Sequence, residues 1–195
     1  MFNTPNNILK ELHFLRFRKP GFKRNMVLSH SAERQFTQFL IDALGRDVFV
    51  ISTALGLDVY YSNQNRKTDF IVKNLWLFQE KEEQDRAVLI EEYDDKEVLN
   101  YFNRSVDSLS KHPQLFLSTC KKFMHQYNTY FVKSRLLILL YSIFESHLQG
   151  LITDSKLPYV QKIKKLLDEV YDPTQENPEV LNMLTKNYLK DKSHN

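Results

Sequence analysis

The chain has 195 residues, 42% of them hydrophobic, and its 27 Lys and Arg against 24 Asp and Glu give a net charge of +3. A chain of this length normally forms one domain with its own core. It contains 4 glycines and one cysteine, which argues against the glycine-rich turns of an all-β domain, a disulfide framework and a Cys-based zinc site. The lone cysteine, and a start at residues 1–10 without an apolar segment, predict a cytoplasmic protein.

Helical periodicity dominates the sequence and predicts an all-α fold, a single-domain helical bundle of about eight helices. We expect residues 1–30 to form a basic, aromatic N-terminal segment, residues 31–189 the helical core, and residues 190–195 a flexible tail. In chain order, the first helix is predicted over residues 8–17, before the break at Pro20-Gly21.

The second predicted helix has one apolar face and a defined end. Its face consists of Leu28, Ala32, Phe36, Phe39 and Ala43, which recur at intervals of three and four residues. Gly45 follows this face and suits the position just past a helix end, where glycine is favoured.

The next segment is ambiguous between helix and strand. Residues 48–51, Val-Phe-Val-Ile, are rich in β-branched side chains and fit a strand. No second strand is apparent to satisfy its backbone hydrogen bonds. We therefore interpret residues 47–61 as a buried helix with Asp47 at its N-terminal cap.

The remaining helices are marked by capping aspartates and by prolines at first helical positions. Their predicted starts are Asp69, Asp94 or Asp95, Pro113, about Tyr130, Pro158 and Pro178. The most apolar run, residues 136–144, is far shorter than the ~20 residues of a membrane span and has charged neighbours on both sides. We interpret it as the buried central helix of the bundle and predict no membrane contact.

The N-terminal segment interleaves basic and aromatic residues. Residues 1–35 carry seven Lys or Arg against two Glu, a net charge of +5. Cations bind phosphates and aromatic rings stack on bases, so the segment predicts nucleic acid, RNA or DNA, or an acidic protein as the partner. The predicted contact residues are Arg16, Arg18, Lys19, Lys23 and Arg24. The alternative is an amphipathic helix that docks Phe14 and Phe17 on the bundle and directs its arginines to solvent.

An acidic run lies in the middle of the chain. Residues 79–98 carry nine Asp or Glu against three Lys or Arg, a net charge of −6. With the preceding Trp76, the acids Glu82, Glu83 and Asp85 predict a face for a protein partner. The alternative is that both charged runs are solvated helix faces.

No cofactor or metal site is predicted. The sequence lacks a GxxxxGK[ST] phosphate loop, GxGxxG, HExxH and GxSxG. Glu145 and His147, two residues apart on a helix, point in different directions and do not form a metal-binding pair.

One short motif suggests a different chemistry. Arg24-Asn25 and His30 read R-N-x4-H, and on a helix Arg24 and His30 would lie about one and two-thirds turns apart. An arginine can hold a scissile phosphate while a histidine exchanges a proton with the ribose 2′-oxygen. This spacing, with the apolar helix that ends in Glu145, resembles the HEPN superfamily of helical bundles. The resemblance implies a metal-independent ribonuclease, or an inactive relative, with Arg24, His30 and Glu145 at a cleft between two subunits of a homodimer.

Three functional hypotheses follow from these patterns. The first is a non-enzymatic helical module that docks its basic N-terminal face on nucleic acid or an acidic protein. The second is the HEPN-like ribonuclease or its inactive relative, whose motif order departs from that of the family because Arg24 and His30 precede Glu145. The third is a helical adaptor or inhibitor whose acidic face blocks a nucleic-acid enzyme.

Overall fold

The structure is a computed structural model that describes residues 11–20, 26–79, 88–130, 134–153, 157 and 159–168. These residues form six helices and one four-stranded antiparallel sheet, and about 63% of them are helical and 19% are in strands. The predicted all-α bundle of about eight helices, without a sheet, is therefore wrong. The described residues divide into two compact units between Tyr101 and Phe102.

The first unit contains all four strands. Its elements are β1 (Leu12–Arg18), α1 (His30–Leu44), β2 (Val48–Thr53), β3 (Gly56–Ser62), α2 (Thr68–Leu75) with a short 3-10 turn (Trp76–Phe78), β4 (Leu89–Asp94) and the start of α3 (Lys96–Ser110). The second unit contains the rest of α3, then α4 (Pro113–Tyr130), α5 (Arg135–Thr153) and α6 (Val160–Asp168).

The strand order in the sheet is β2-β3-β1-β4, with every neighbouring pair antiparallel. Strands β1 and β2 are therefore parallel with β3 between them, and β3 and β4 are parallel with β1 between them. This is the βαββαβ arrangement of two split βαβ units. Helices α1 and α2 contribute Phe36, Leu40, Ile71 and Leu75 to a core with Leu15 on one face of the sheet.

Strand β1 replaces the helix predicted over residues 8–17. Leu15 and Phe17 join the core under the helices, whereas Phe14 and Arg16 point to the opposite face. All four side chains are buried. A central strand covered on both faces loses the alternation of polar and apolar residues that identifies a strand, so its apolar run also fits a helical period.

Strands β2 and β3 replace the buried helix predicted over residues 47–61, so residues 48–51 are strand. The partner strand lies in the same segment, with Val48 opposite Tyr61 and Ile51 opposite Asp58. Gly56 follows the connecting turn at φ 144°, and a Cβ there would lie 2.5 Å from the carbonyl oxygen of Phe17. A turn that ends in glycine was the signal that the helical interpretation overlooked.

Several predicted helices are confirmed. Helix α1 ends at Gly45, whose φ is 99° and whose N–H donates to the carbonyl of Ile41. Helix α3 begins at Lys96, just after the predicted aspartates, and Pro113 is the first residue of α4. The helix predicted from Pro178 lies outside the described residues.

Helix α5 is the apolar centre of the second unit. It has 19 residues, and an 18-residue window within it has a mean hydropathy of 1.4, so by length and composition alone it is long and apolar enough to cross a membrane. Its buried side chains are Leu136, Leu137, Leu139, Leu140, Tyr141, Ile143, Phe144 and Leu148. The core helix of a soluble protein passes the same test, so one such helix is weak evidence for a membrane span.

Candidate nucleic-acid interface

The arginines of the predicted basic face of the N-terminal segment that the structure describes have acidic partners within the sheet. Nε and Nη2 of Arg16 each donate to one carboxylate oxygen of Asp58 at 2.6 Å. Nη1 of Arg16 donates to the hydroxyl of Tyr101 at 2.6 Å, and this hydroxyl donates to Glu91 at 2.6 Å. Arg18 forms an ion pair with Glu91.

The Arg16–Asp58 pair is buried, with 4% and 2% of the two residues exposed. Burial acts to lower the pKa of Arg16, but the Asp58 carboxylate raises it above its ordinary value. Burial raises the pKa of the Asp58 carboxyl, and the Arg16 guanidinium opposes that shift. The donors of the Arg16 guanidinium are engaged in these hydrogen bonds, so the group is not available to a phosphate in solvent. The geometry therefore gives Arg16 a structural role.

His13, also on β1, has oxygen partners on both sides of its ring. Nδ1 lies 2.6 Å from a carboxylate oxygen of Asp94, and Nε2 lies 3.0 Å from the carbonyl oxygen of Asn63. Arg66 pairs with the second oxygen of Asp94. Basic side chains of β1 thus contact acids of β3 and β4.

Aromatic side chains form a row across the face of the sheet that carries Arg16. The Phe14 ring lies 4.7 Å from that of Tyr60, 6.0 Å from that of Tyr93 and 4.8 Å from that of Tyr101, centre to centre. Aromatic residues on the central strands of a four-stranded sheet stack on unpaired bases in one class of RNA-binding domain. Here Phe14 and Tyr60 are 0% and 1% exposed, so their rings are closed to a base.

The other predicted N-terminal contact residues have mixed locations. Lys19 is half-buried just after β1, and Lys23 and Arg24 lie outside the described residues. His30 is exposed as the first residue of α1, with Ser29 at its N-cap. Because residues 26–29 precede the helix, Arg24 and His30 do not share one continuous helix as the R-N-x4-H interpretation assumed.

Glu145 and the predicted partner face are only partly described. Glu145 is half-buried on α5, in the second unit, whereas His30 belongs to the first. Trp76 is half-buried in the 3-10 turn after α2. Glu82, Glu83 and Asp85 lie outside the described residues.

The described residues of the second unit include a set of exposed basic side chains, here called its basic surface, that the sequence interpretation did not identify. Its described residues include eight Lys or Arg against three Asp or Glu, whereas those of the first unit include nine against eleven. Seven of the eight are exposed: Arg104, Lys111, Lys121, Arg135, Lys162, Lys164 and Lys165. Counting the charges of residues 102–168 separately from those of residues 11–101 would have shown this excess.

The densest part of this surface is helix α6. Lys162, Lys164 and Lys165 are all exposed, while Ile163 between them is fully buried. Tyr159, just before the helix, is 42% exposed, and the Lys162 ammonium lies 5.1 Å from the centre of its ring. The buried isoleucine anchors one side of α6, so its lysines project from the other side into solvent.

The described part of the chain shows no candidate metal centre and no activated cysteine. No group of three His, Cys, Asp or Glu side chains there is placed to hold a metal ion. Burial raises the pKa of the Cys120 thiol to about 12, so this cysteine does not have the lowered pKa of a reactive nucleophile.

The element order of the first unit does not identify a function, because one fold hosts many unrelated activities. No family model, curated protein or solved structure matches this chain. We therefore infer function from the side chains of the chain itself.

Proposed function

We propose that this chain is a non-enzymatic binding module that holds nucleic acid on the basic surface of its second unit. The observation that carries the proposal is the excess of Lys and Arg over acids among the described residues of that unit, with seven of these eight cations exposed. Exposed cations that outnumber the acids attract a polyanion and release the counterions condensed on it.

Helix α6 is the centre of the proposed surface. Lys162 and Lys165 are three residues apart and share one side of the helix. Lys164 is exposed beside them. A lysine ammonium on a flexible side chain suits a phosphate, because contact with a phosphate does not require the fixed hydrogen-bond geometry that recognition of a base edge requires. The surface is thus suited to a nucleic-acid backbone and not to reading base edges.

Strand β1 is less suited to this role than its sequence suggested. Arg16 is buried against Asp58, and Arg18 is paired with Glu91. Binding a phosphate through Arg16 would require breaking two charge-assisted hydrogen bonds inside the sheet, and each such bond contributes about 1.5–3 kcal/mol. The lysines of α6 need no such rearrangement.

The test measures the affinity of the full chain for short labelled single strands of RNA and DNA over a range of salt concentrations. Substituting Lys162, Lys164 and Lys165 together by Gln should weaken binding. Because a phosphate contact on a single strand contributes about 0.7 to the slope of log K against log salt, the slope should fall by about 2.

A matched control removes three charges from the first unit. Arg34, Arg46 and Lys73 are exposed there, and their replacement by Gln changes the net charge equally. Binding should survive this change. Equal weakening by both triple variants, or no binding by the unchanged chain at low salt, would contradict the proposal. Equally tight binding of poly-glutamate would identify an acidic protein as the partner instead.

A further inference from the structure

We infer that Tyr159 is a stacking platform for an unpaired base, so that the basic surface of the second unit selects single-stranded over double-stranded nucleic acid. This inference rests on the proposed function and adds the class of ligand. It is carried by the exposure, the backbone conformation and the cationic neighbour of this one tyrosine.

Tyr159 has an unusual backbone conformation for its residue type. Its φ of 56° lies in the left-handed region, which a large side chain rarely occupies and which favours glycine or asparagine. Its carbonyl oxygen accepts N–H groups from Lys162 at 2.9 Å and Ile163 at 3.1 Å. These bonds fix the residue at the start of α6, so the tyrosine is held in place despite an unfavourable conformation, as is frequent at functional sites.

The ring of Tyr159 is presented in a way that suits stacking. It is 42% exposed, and the Lys162 ammonium lies over one face of the ring, 5.1 Å from its centre, so a stacked base would take the opposite face or displace this flexible ammonium. An aromatic ring beside cations combines base stacking with phosphate contact, the combination found in proteins that bind single strands without sequence preference. Bases in a duplex are already stacked on one another, so a single exposed ring gains contact only with an unpaired base.

The experiment compares affinities for a single strand and for a duplex of the same sequence, using the full chain. Tyr159→Asn removes the ring but tolerates the left-handed φ, and Tyr159→Phe keeps the ring. The unchanged chain and Tyr159→Phe should prefer the single strand. Tyr159→Asn should bind the single strand on the order of tenfold more weakly, with duplex affinity unchanged. Thermal unfolding of both variants checks that the fold is retained.

The outcomes separate the inference from the proposed function. Salt-dependent binding with no preference for single strands, or with the preference intact in Tyr159→Asn, would overturn the stacking role and leave the basic surface in place. An equal loss of affinity for both strand forms in Tyr159→Asn would assign the tyrosine a purely structural role. Absence of binding to either form by the unchanged chain would overturn both.

Discussion

Arg16 on β1 and Asp58 on β3 face each other in the sheet and form a bidentate ion pair, with both N···O distances at 2.6 Å and both side chains buried. The pair joins the two central strands, and Tyr101 from α3 accepts a further hydrogen bond from the same guanidinium. Arg16, which the sequence predicted as a contact to nucleic acid, is therefore part of the interior.

Removing one member of this pair should destabilise the protein strongly. We expect Arg16→Met to lower the free energy of unfolding by about 3–5 kcal/mol, because it leaves a buried carboxylate without its counter-ion. Chemical denaturation measures this change. Arg18→Gln is the control, since the Arg18–Glu91 pair is partly exposed and should contribute less than about 1 kcal/mol. A small effect of Arg16→Met would mean that the pair contributes little to the sheet.

The same variant should acquire a pH dependence. Burial already raises the pKa of Asp58, and loss of the Arg16 guanidinium removes the main group that opposes the rise. A carboxyl whose pKa is higher in the folded than in the unfolded state contributes stability at low pH that is lost as pH rises through the folded pKa. The cost of Arg16→Met should therefore be smaller at pH 5 than at pH 8, and an equal cost at both would contradict this account.

Replacement of two glycines by alanine should change the free energy of unfolding in opposite directions. At Gly56 the φ of 144° and a backbone oxygen 2.5 Å from the new Cβ should cost at least about 2 kcal/mol. At Gly150, in helix α5, no atom beyond its chain neighbours and the helix's own backbone lies within 4 Å of the new Cβ, and the helix should gain about 0.5–1 kcal/mol. Urea unfolding of the two variants makes the comparison, and a neutral Gly56→Ala would show that the hairpin can shift.

Helices whose ends are marked by local sequence signals were predicted correctly. The sheet was missed because no local signal specifies the pairing of its strands. Gly45 and Pro113 mark helix ends through their own backbone preferences, so α1 and α4 were found. Strand β1 is buried on both faces by partners distant in sequence, and its apolar pattern resembles that of a buried helix. Pairing of Arg16 with Asp58 likewise depends on a register that no local spacing encodes. The basic surface around Lys162 was missed because its cations are spread over several helices, whereas those of the N-terminal segment are close together in sequence.

Cys120 should be unreactive in the folded protein. Its side chain is fully buried in α4, and burial raises the pKa of its thiol to about 12. Alkylation at pH 8 should therefore require unfolding and be much slower than for a free thiol. Because the thiol pKa is higher in the folded state, its contribution to stability is full below about pH 8.5 and is lost as pH rises towards 12. Rapid alkylation of the native protein would contradict this burial.

His30 provides the test that separates the binding module from the HEPN-like ribonuclease. It is exposed, and the N-cap hydrogen bond of α1 is made by Ser29, whose hydroxyl accepts from the amide of Ala32 at 3.3 Å. We therefore expect His30→Ala to change the free energy of unfolding by less than about 0.5 kcal/mol. Ser29→Ala, the matched control, should cost about 0.5–2 kcal/mol.

The same His30→Ala variant then tests catalysis without interference from stability. If the chain is a binding module, single-stranded RNA incubated with the unchanged protein and EDTA should remain intact. Cleavage products that end in 2′,3′-cyclic phosphate, and that disappear in both Arg24→Ala and His30→Ala, would support the ribonuclease and contradict the non-enzymatic proposal.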